Sequence, residues 1–180
     1  PGVAFHDSFN HGVMDWTLAG IITNSSNVGI SMLGNQLSPE TRYDYLRKFG
    51  IGEATHAGMP LEDAGALYPY KDWDGQTRYV TMFGQGLSST IVQTAGVYQT
   101  IANGGVRLPA QLVESCTKAD GTVVTPTEPD PVQVIQPQTA SEVSQMLENV
   151  YAQGTLASDI NIPGYRLGVK TGTAQVPDGK

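Results

Sequence analysis

What most limits the fold of this 180-residue chain is its punctuation, 21 glycines and 11 prolines spaced so that no segment runs far without a breaker. Together they stand well above the roughly 12% of average usage. Long bundles and coiled coils are excluded, and a turn-rich globular fold of short elements is expected. The length suits one domain, or part of one, with enough chain to bury a core. Charged residues make up only 15%, so the chain is not a disordered polyelectrolyte. A net charge of −7 without a basic run argues against nucleic acid as a partner. A single cysteine, Cys116, allows neither a disulfide framework nor a zinc ribbon. No apolar run approaches the roughly 18 residues that span a bilayer. The chain opens without Met at Pro1-Gly2-Val3, in what reads as a loop and without a signal-peptide pattern. It reads as a piece of a longer protein.

Residues 1–20 read as loop, and a helix opens in the Asn24–Leu33 stretch with Val28, Met32 and Leu33 on one face. Ser38-Pro39-Glu40 predicts a second helix, with an N-cap, Pro at its first position and an acid in its first turn. Tyr45, Leu46 and Phe49 are its apolar positions, and Gly50 stops it. Residues 50–87 form a glycine-rich irregular excursion. Ser88, Ser89 or Thr90 then caps a third helix carrying Ile91, Ala95, Tyr98 and Ala102, which ends at Asn103-Gly104-Gly105. Residues 106–125 read as two strands around an Asp120-Gly121 hairpin. Thr139 and Glu142 predict a capping box, followed by Val143, Met146, Leu147, Val150 and Tyr151 at helical spacing. Tyr165, Leu167 and Val169 alternate with Arg166, Gly168 and Lys170, the period of a strand with one buried face.

That strand runs into Lys170-Thr171-Gly172-Thr173, a cation, two hydroxyls and a glycine that lets another backbone come close. Such an edge can pair with an extended peptide while the hydroxyls and ammonium hold a carboxylate; it can equally be an ordinary strand end. Ser25-Ser26-Asn27 contains an S-x-N at a helix start, which by itself reads as capping. K-T-G alone arises by chance in roughly 2% of chains this long, and S-x-N in about every second one.

The two together carry more. Ser25-Ser26-Asn27-Val28-Gly29, Phe83-Gly84-Gln85-Gly86 with Thr90 and Gln93, Ile101-Ala102-Asn103-Gly104-Gly105, and Lys170-Thr171-Gly172-Thr173-Ala174-Gln175 follow in that order. This series resembles the transpeptidase domain of class B high-molecular-weight penicillin-binding proteins, across residues 1–180 as a partial domain. The resemblance implies an α+β, serine β-lactamase-like fold, with helices packed on an antiparallel sheet that is incomplete here. It implies D,D-transpeptidation in the intact protein: cell-wall cross-linking by a transferase, inhibited covalently by β-lactams. Ser25 would relay a proton to the leaving amine, Asn27 would orient the donor's peptide amide, and Lys170 would set the local positive potential. Thr171, Gly172 and Thr173 would bind the terminal carboxylate, with the Thr173 N–H as an oxyanion donor. The implied partners are peptidoglycan stem peptides, β-lactam antibiotics and the remainder of the transpeptidase domain, with no cofactor. The implied location is the extracytoplasmic face of a bacterial cell membrane, with an anchor helix outside this chain. A D,D-carboxypeptidase or β-lactamase-type hydrolase, or a catalytically silent module binding peptidoglycan or a division partner, shares these motifs.

The family's nucleophile is the Ser of an S-x-x-K on a helix ahead of S-x-N. The one such string here, Ser115-Cys116-Thr117-Lys118, follows S-x-N on a predicted strand, where residues i and i+3 face opposite ways. It reads as a decoy, and the nucleophile is expected outside this chain. The chain also stops seven residues after Thr173, before the strands and final helix that would complete the sheet. His6, His11 and His56 with Asp7 and Asp15 lack metal-ligand spacing and read as solvated loop residues. Gly84-Gln85-Gly86 lacks the third glycine of a dinucleotide fingerprint and reads as a tight backbone approach beside the site. Glu62 and Asp63 read as a solvated turn, and Cys116 as a half-buried strand residue.

Overall fold

A computed structural model of the chain describes residues 4–127, 129–154 and 156–174. The first helix starts inside the stretch read as loop, residues 1–20, and runs past its end. Thr17 Oγ1 accepts from the Gly20 N–H at 3.3 Å and starts α1 (Leu18–Thr23). Leu18, Ile21 and Ile22 after a capping Thr were the sequence signal for it. α2 (Asn27–Gly34) and α3 (Pro39–Lys48) follow as predicted, the latter with the Ser38 hydroxyl accepting from the Thr41 N–H. On α2, however, Val28 and Met32 are exposed and the buried side chain is Ser31. The excursion holds two 3₁₀ turns (Tyr70–Asp72 and Thr81–Phe83) flanking the short α4 (Thr77–Val80).

Thr90 and Gln93 form a complete capping box on α5 (Ile91–Ala102). Four short strands follow: β1 (Val106–Arg107), β2 (Cys116–Thr117), β3 (Val123–Val124) and β4 (Val132–Gln133). β2 and β3 make the predicted Asp120-Gly121 hairpin, with Gly121 at φ +85° and the Thr122 N–H bonded to Asp120. β1 does not join that hairpin; it pairs antiparallel with β4, Val106 opposite Gln133. α6 (Pro137–Gln153) starts two residues before Thr139, so Thr139 and Glu142 lie inside the helix and the predicted capping box is not its start. Pro at the first helical position supplies the fixed φ for that earlier start. α7 (Leu156–Asp159) is a single turn.

The elements belong to an α+β fold of helices and small antiparallel ladders, grouped into two compact units. The first comprises Pro1–Tyr43, Tyr68–Leu87 and Ser141–Lys180, the second Asp44–Leu67 and Ser88–Ala140. Val80 and Val150 are buried in the first unit; Ile51, Val134 and Ala140 are buried in the second. Much of the second unit's interior is polar. Gln93 is 3% exposed; its amide donates to the Glu53 and Ala64 carbonyls (2.6 and 2.8 Å) and accepts from the Thr90 N–H. Thr100, fully buried, donates to the Gly96 carbonyl at 2.7 Å. α5 thus buries the face opposite its predicted apolar stripe, and Ile91 is 89% exposed. Glu62 is no solvated turn: it accepts from the Thr55 N–H, the Thr55 hydroxyl and the His56 N–H, bracing its loop. Cys116 lies on a strand, as expected, but is exposed with the rest of the β2–β3 hairpin.

Gly105 shows why Asn103-Gly104-Gly105 ends α5. Its φ is +86°, and a Cβ there would lie 2.0 Å from the Ile135 carbonyl oxygen. The same residue accepts from the Val134 N–H and donates to the Thr100 carbonyl, both at 2.8 Å. Gly105→Ala is therefore expected to destabilise the protein by about 2–4 kcal/mol through strain and displaced backbone, read from denaturant midpoints.

Candidate active site

The S-x-N segment is the joint between α1 and α2. Backbone bonds from Ser25 N–H to the Ile22 carbonyl and from Ser26 N–H to the Ile21 carbonyl (3.2 and 3.0 Å) close α1 in the double-bonded pattern that glycine usually completes. Ser25 occupies the left-handed position of that pattern at φ +52°, a conformation costing a non-glycine residue about 1–2 kcal/mol. Ser26 begins the next helix: its hydroxyl accepts from the Gly29 N–H at 2.8 Å and caps α2. Capping thus falls to the middle serine, leaving the Ser25 hydroxyl and Asn27 amide for other partners. Gly29 lets the two helices approach, since a Cβ would lie 2.9 Å from Ile21.

Residues 166–170 run beside α6. The Val169 N–H donates to the Leu147 carbonyl (3.2 Å), and Gly168 sits where a Cβ would press on Leu147. Arg166 pairs with Glu148 through both carboxylate oxygens (2.8 Å at the closest), an exposed pair worth at most about 1 kcal/mol. Leu167 and Val169 are half-buried and Arg166 and Gly168 exposed, as the alternation predicts, but Tyr165 is exposed and Lys170 half-buried, against it. Among the described residues, though, 165–170 form no sheet ladder; the segment is extended chain held by a helix. α6 is tied in turn to the end of α1, Asn149 donating to the Thr23 hydroxyl at 3.0 Å.

All six candidate residues meet at one cleft of about 510 Å³ in the first unit, lined by Ser25, Ser26, Asn27 and residues 170–173, with Ile22, Phe83 and Leu147 among its apolar walls. The Lys170 amine donates to the Ser25 hydroxyl and, at 2.8 Å, to the Thr171 carbonyl. Burial lowers the Lys170 pKa from its ordinary value by penalising the charged ammonium. Asn27 Nδ2 donates to the His6 carbonyl at 3.4 Å. Gly84 and Gly86, both left-handed, turn the chain after Met82 and Phe83, which line the cleft. Gln175 lies outside the described residues.

The sequence matches the Penicillin binding protein transpeptidase domain over residues 4–180. The chain belongs to the penicillin-binding protein transpeptidase family. Among curated relatives of this transpeptidase-family chain, the penicillin-binding protein PbpB of Mycobacterium tuberculosis is 44% identical over 97% of the chain, and the peptidoglycan D,D-transpeptidase FtsI of Escherichia coli 37% identical over 91%. The chain spans about a quarter of the length of each, 26% in both cases. A crystal structure of penicillin-binding protein 3 from M. tuberculosis with aztreonam matches with TM-score 0.82 and 42% identity, over 92% of this chain and 36% of that one. A peptidoglycan synthetase from Bifidobacterium adolescentis matches with TM-score 0.91 and 35% identity, over 98% of this chain and 32% of that one.

Asp7 and His11 lie in loop, as expected, and His11 is exposed, but sequence reasoning missed that the Asp7 side chain is buried and bonded to His11. Asp7, its side chain 1% exposed, accepts from the Val28 N–H (3.0 Å), the Ser26 hydroxyl (2.8 Å) and His11 Nε2 (2.9 Å). Burial works to raise the Asp7 pKa, but these hydrogen bonds outweigh it and hold the carboxyl below its ordinary value. The other His11 nitrogen lies 2.7 Å from the Gly12 carbonyl, and the ring packs against Phe9 and Trp16, which also neighbour each other. Two acceptors call for two ring N–H groups, so the Gly12 carbonyl and then Asp7 raise the His11 pKa. No spacing rule reaches from residue 7 to residue 26; the aromatic Phe9 and Trp16 flanking His11 were the one hint of order. The Ser115–Lys118 string lies on the exposed hairpin, with Cys116 and Thr117 forming β2, the strand placement the sequence predicts.

Two outcomes are expected. Ser25→Gly should raise stability by about 0.5–1 kcal/mol in denaturant unfolding, because glycine adopts the left-handed joint without strain. The stability owed to protonated His11 is fully present below its ordinary pKa of 6.5 and lost as pH rises through the higher folded value. His11→Gln should abolish that alkaline loss in melts recorded from about pH 5 to 9.

Proposed function

We propose that this chain supplies two walls of a serine D,D-transpeptidase site that cross-links peptidoglycan at the extracytoplasmic face of a bacterial membrane. The observation that carries the reading is the contact of Lys170 with Ser25 beside Thr171 and Thr173 in one cleft. In this mechanism a serine outside the chain attacks the penultimate carbonyl of a stem peptide. Lys170 keeps Ser25 poised to pass a proton to the departing D-alanine amine, a general acid–base task worth about 10²–10⁴ in rate. Asn27 orients the donor's peptide amide, the Thr171 and Thr173 hydroxyls take the terminal carboxylate, and Gly172 lets the substrate backbone approach. The Thr173 N–H is one oxyanion donor, with an effect of about 10²–10³. An acceptor amine then resolves the acyl-enzyme. β-Lactams acylate the same serine, in keeping with the aztreonam and ampicillin complexes of the M. tuberculosis relative.

The reading is tested by labelling the complete gene product carrying this sequence with a fluorescent penicillin and mapping the adduct by mass spectrometry. Label is expected on a serine other than Ser115, and Lys170→Ala should slow labelling at least about 100-fold. Label on Ser115, or none on the folded gene product, overturns it.

A further inference from the structure

Ser25 points at Lys170 only while the joint between the two helices stays left-handed, and α2 does not enforce this alone. Ser26 already caps α2 through the Gly29 N–H, so the bonds that Asp7 makes are additional to capping. They grip the residues following Ser25: Oδ2 takes the Ser26 hydroxyl proton and Oδ1 the Val28 N–H. The neighbouring His6 carbonyl takes the Asn27 amide. Two consecutive residues of the N-terminal loop thereby hold three consecutive residues of the joint. His11 bonds to the same Oδ2 and fixes the carboxylate from its far side. Asp7 does not line the cleft, though its neighbour Ser8 does, and its polar contacts are with Ser26, Val28 and His11. If the carboxylate is lost, the Ser26 hydroxyl can rotate, the first turn of α2 loses an acceptor, and Ser25 can relax toward an unstrained backbone that turns its hydroxyl from the amine.

We propose that Asp7 is a positioning residue of this site, acting through Ser25 by clamping the Ser26 hydroxyl and the Val28 N–H. The proposal rests on the transpeptidase reading, since it assigns Asp7 an effect on the acylation that Ser25 assists. It differs from a general structural role in one respect. Removing Asp7 should cost rate only while Ser25 has a hydroxyl to aim.

The test uses the complete gene product and its acylation by a fluorescent penicillin, separating the rate of acylation from the affinity of the preceding complex. Asp7→Asn, whose amide can replace only one of the carboxylate's acceptor oxygens, is expected to slow acylation about tenfold and leave that affinity within about twofold. Asp7→Glu should recover part of the rate, and Asp7→Ala none. In a Ser25→Ala background Asp7→Asn should cost nothing further, because residues that act as a unit are not additive. Should Asp7→Asn fail to fold, Ser26→Ala decides the matter. It deletes the hydroxyl that Asp7 grips, which also caps α2, so the deciding readout is dependence on Ser25: acylation should slow about threefold only while the Ser25 hydroxyl is present. An Asp7→Asn rate within twofold of wild type, a loss that persists in full without the Ser25 hydroxyl, or an unaffected Ser26→Ala in the folding-failure case overturns the proposal. If wild type itself is not acylated, the transpeptidase reading falls and takes the proposal with it. A labelled wild type with an insensitive Asp7→Asn overturns the positioning role alone.

Discussion

A left-handed backbone joint at Ser25 is the constraint on which the site depends. One residue closes α1, its neighbour opens α2, and no spacer separates the two tasks. A side chain in that position is strained, and the strain is held by groups from three directions: the end of α1, the Asp7 loop and the Lys170 amine. Glycine would sit there at lower cost but would leave Lys170 without its hydroxyl partner. Backbone conformations of this kind persist where the surroundings over-determine them, and the gain here is a hydroxyl aimed into a cleft.

The opposite wall obeys a different logic. Residues 166–170 are placed by a helix, with Gly168 allowing close approach to Leu147 and Val169 bonding its carbonyl. Because α6 also reaches Thr23 through Asn149, one helix contacts both the end of α1 and the segment bearing Lys170. The register of Lys170 against Ser25 is therefore set through α6, and changes along that helix are felt in the cleft.

Local rules were readable wherever a short signal acts on its own neighbours. The Ser38-Pro39 start, a cap for α5 among Ser88, Ser89 and Thr90, and the Asp120-Gly121 hairpin all follow from residues within four positions of one another, and the structure settles the cap on Thr90. Motif order singled out residues that line one cleft, but not why they converge. The clamp from Asp7 to Ser26 spans 19 positions, and Lys170 meets Ser25 across 145, distances at which pattern carries no geometry. The α5 face was misread for a related reason. Apolar spacing assigns burial to Ile91, Ala95, Tyr98 and Ala102, whereas the second unit buries Gln93 and Thr100, whose polar atoms are satisfied by backbone carbonyls and, for Gln93 Oε1, the Thr90 N–H. A buried amide with its partners in place costs little, and hydropathy alone cannot see those partners. α6 began early because proline at its first position outweighed a capping box two residues on.

The arrangement around Ser26 bears on how the tandem serines could substitute for one another. A hydroxyl has one proton, and that of Ser26 is given to Asp7 while its oxygen receives the Gly29 N–H. The chain of donors therefore runs one way and ends on a carboxylate, so Ser26 has no proton left to pass on. Sequence adjacency confers no redundancy: the second serine is chemically spoken for, and the first has no understudy.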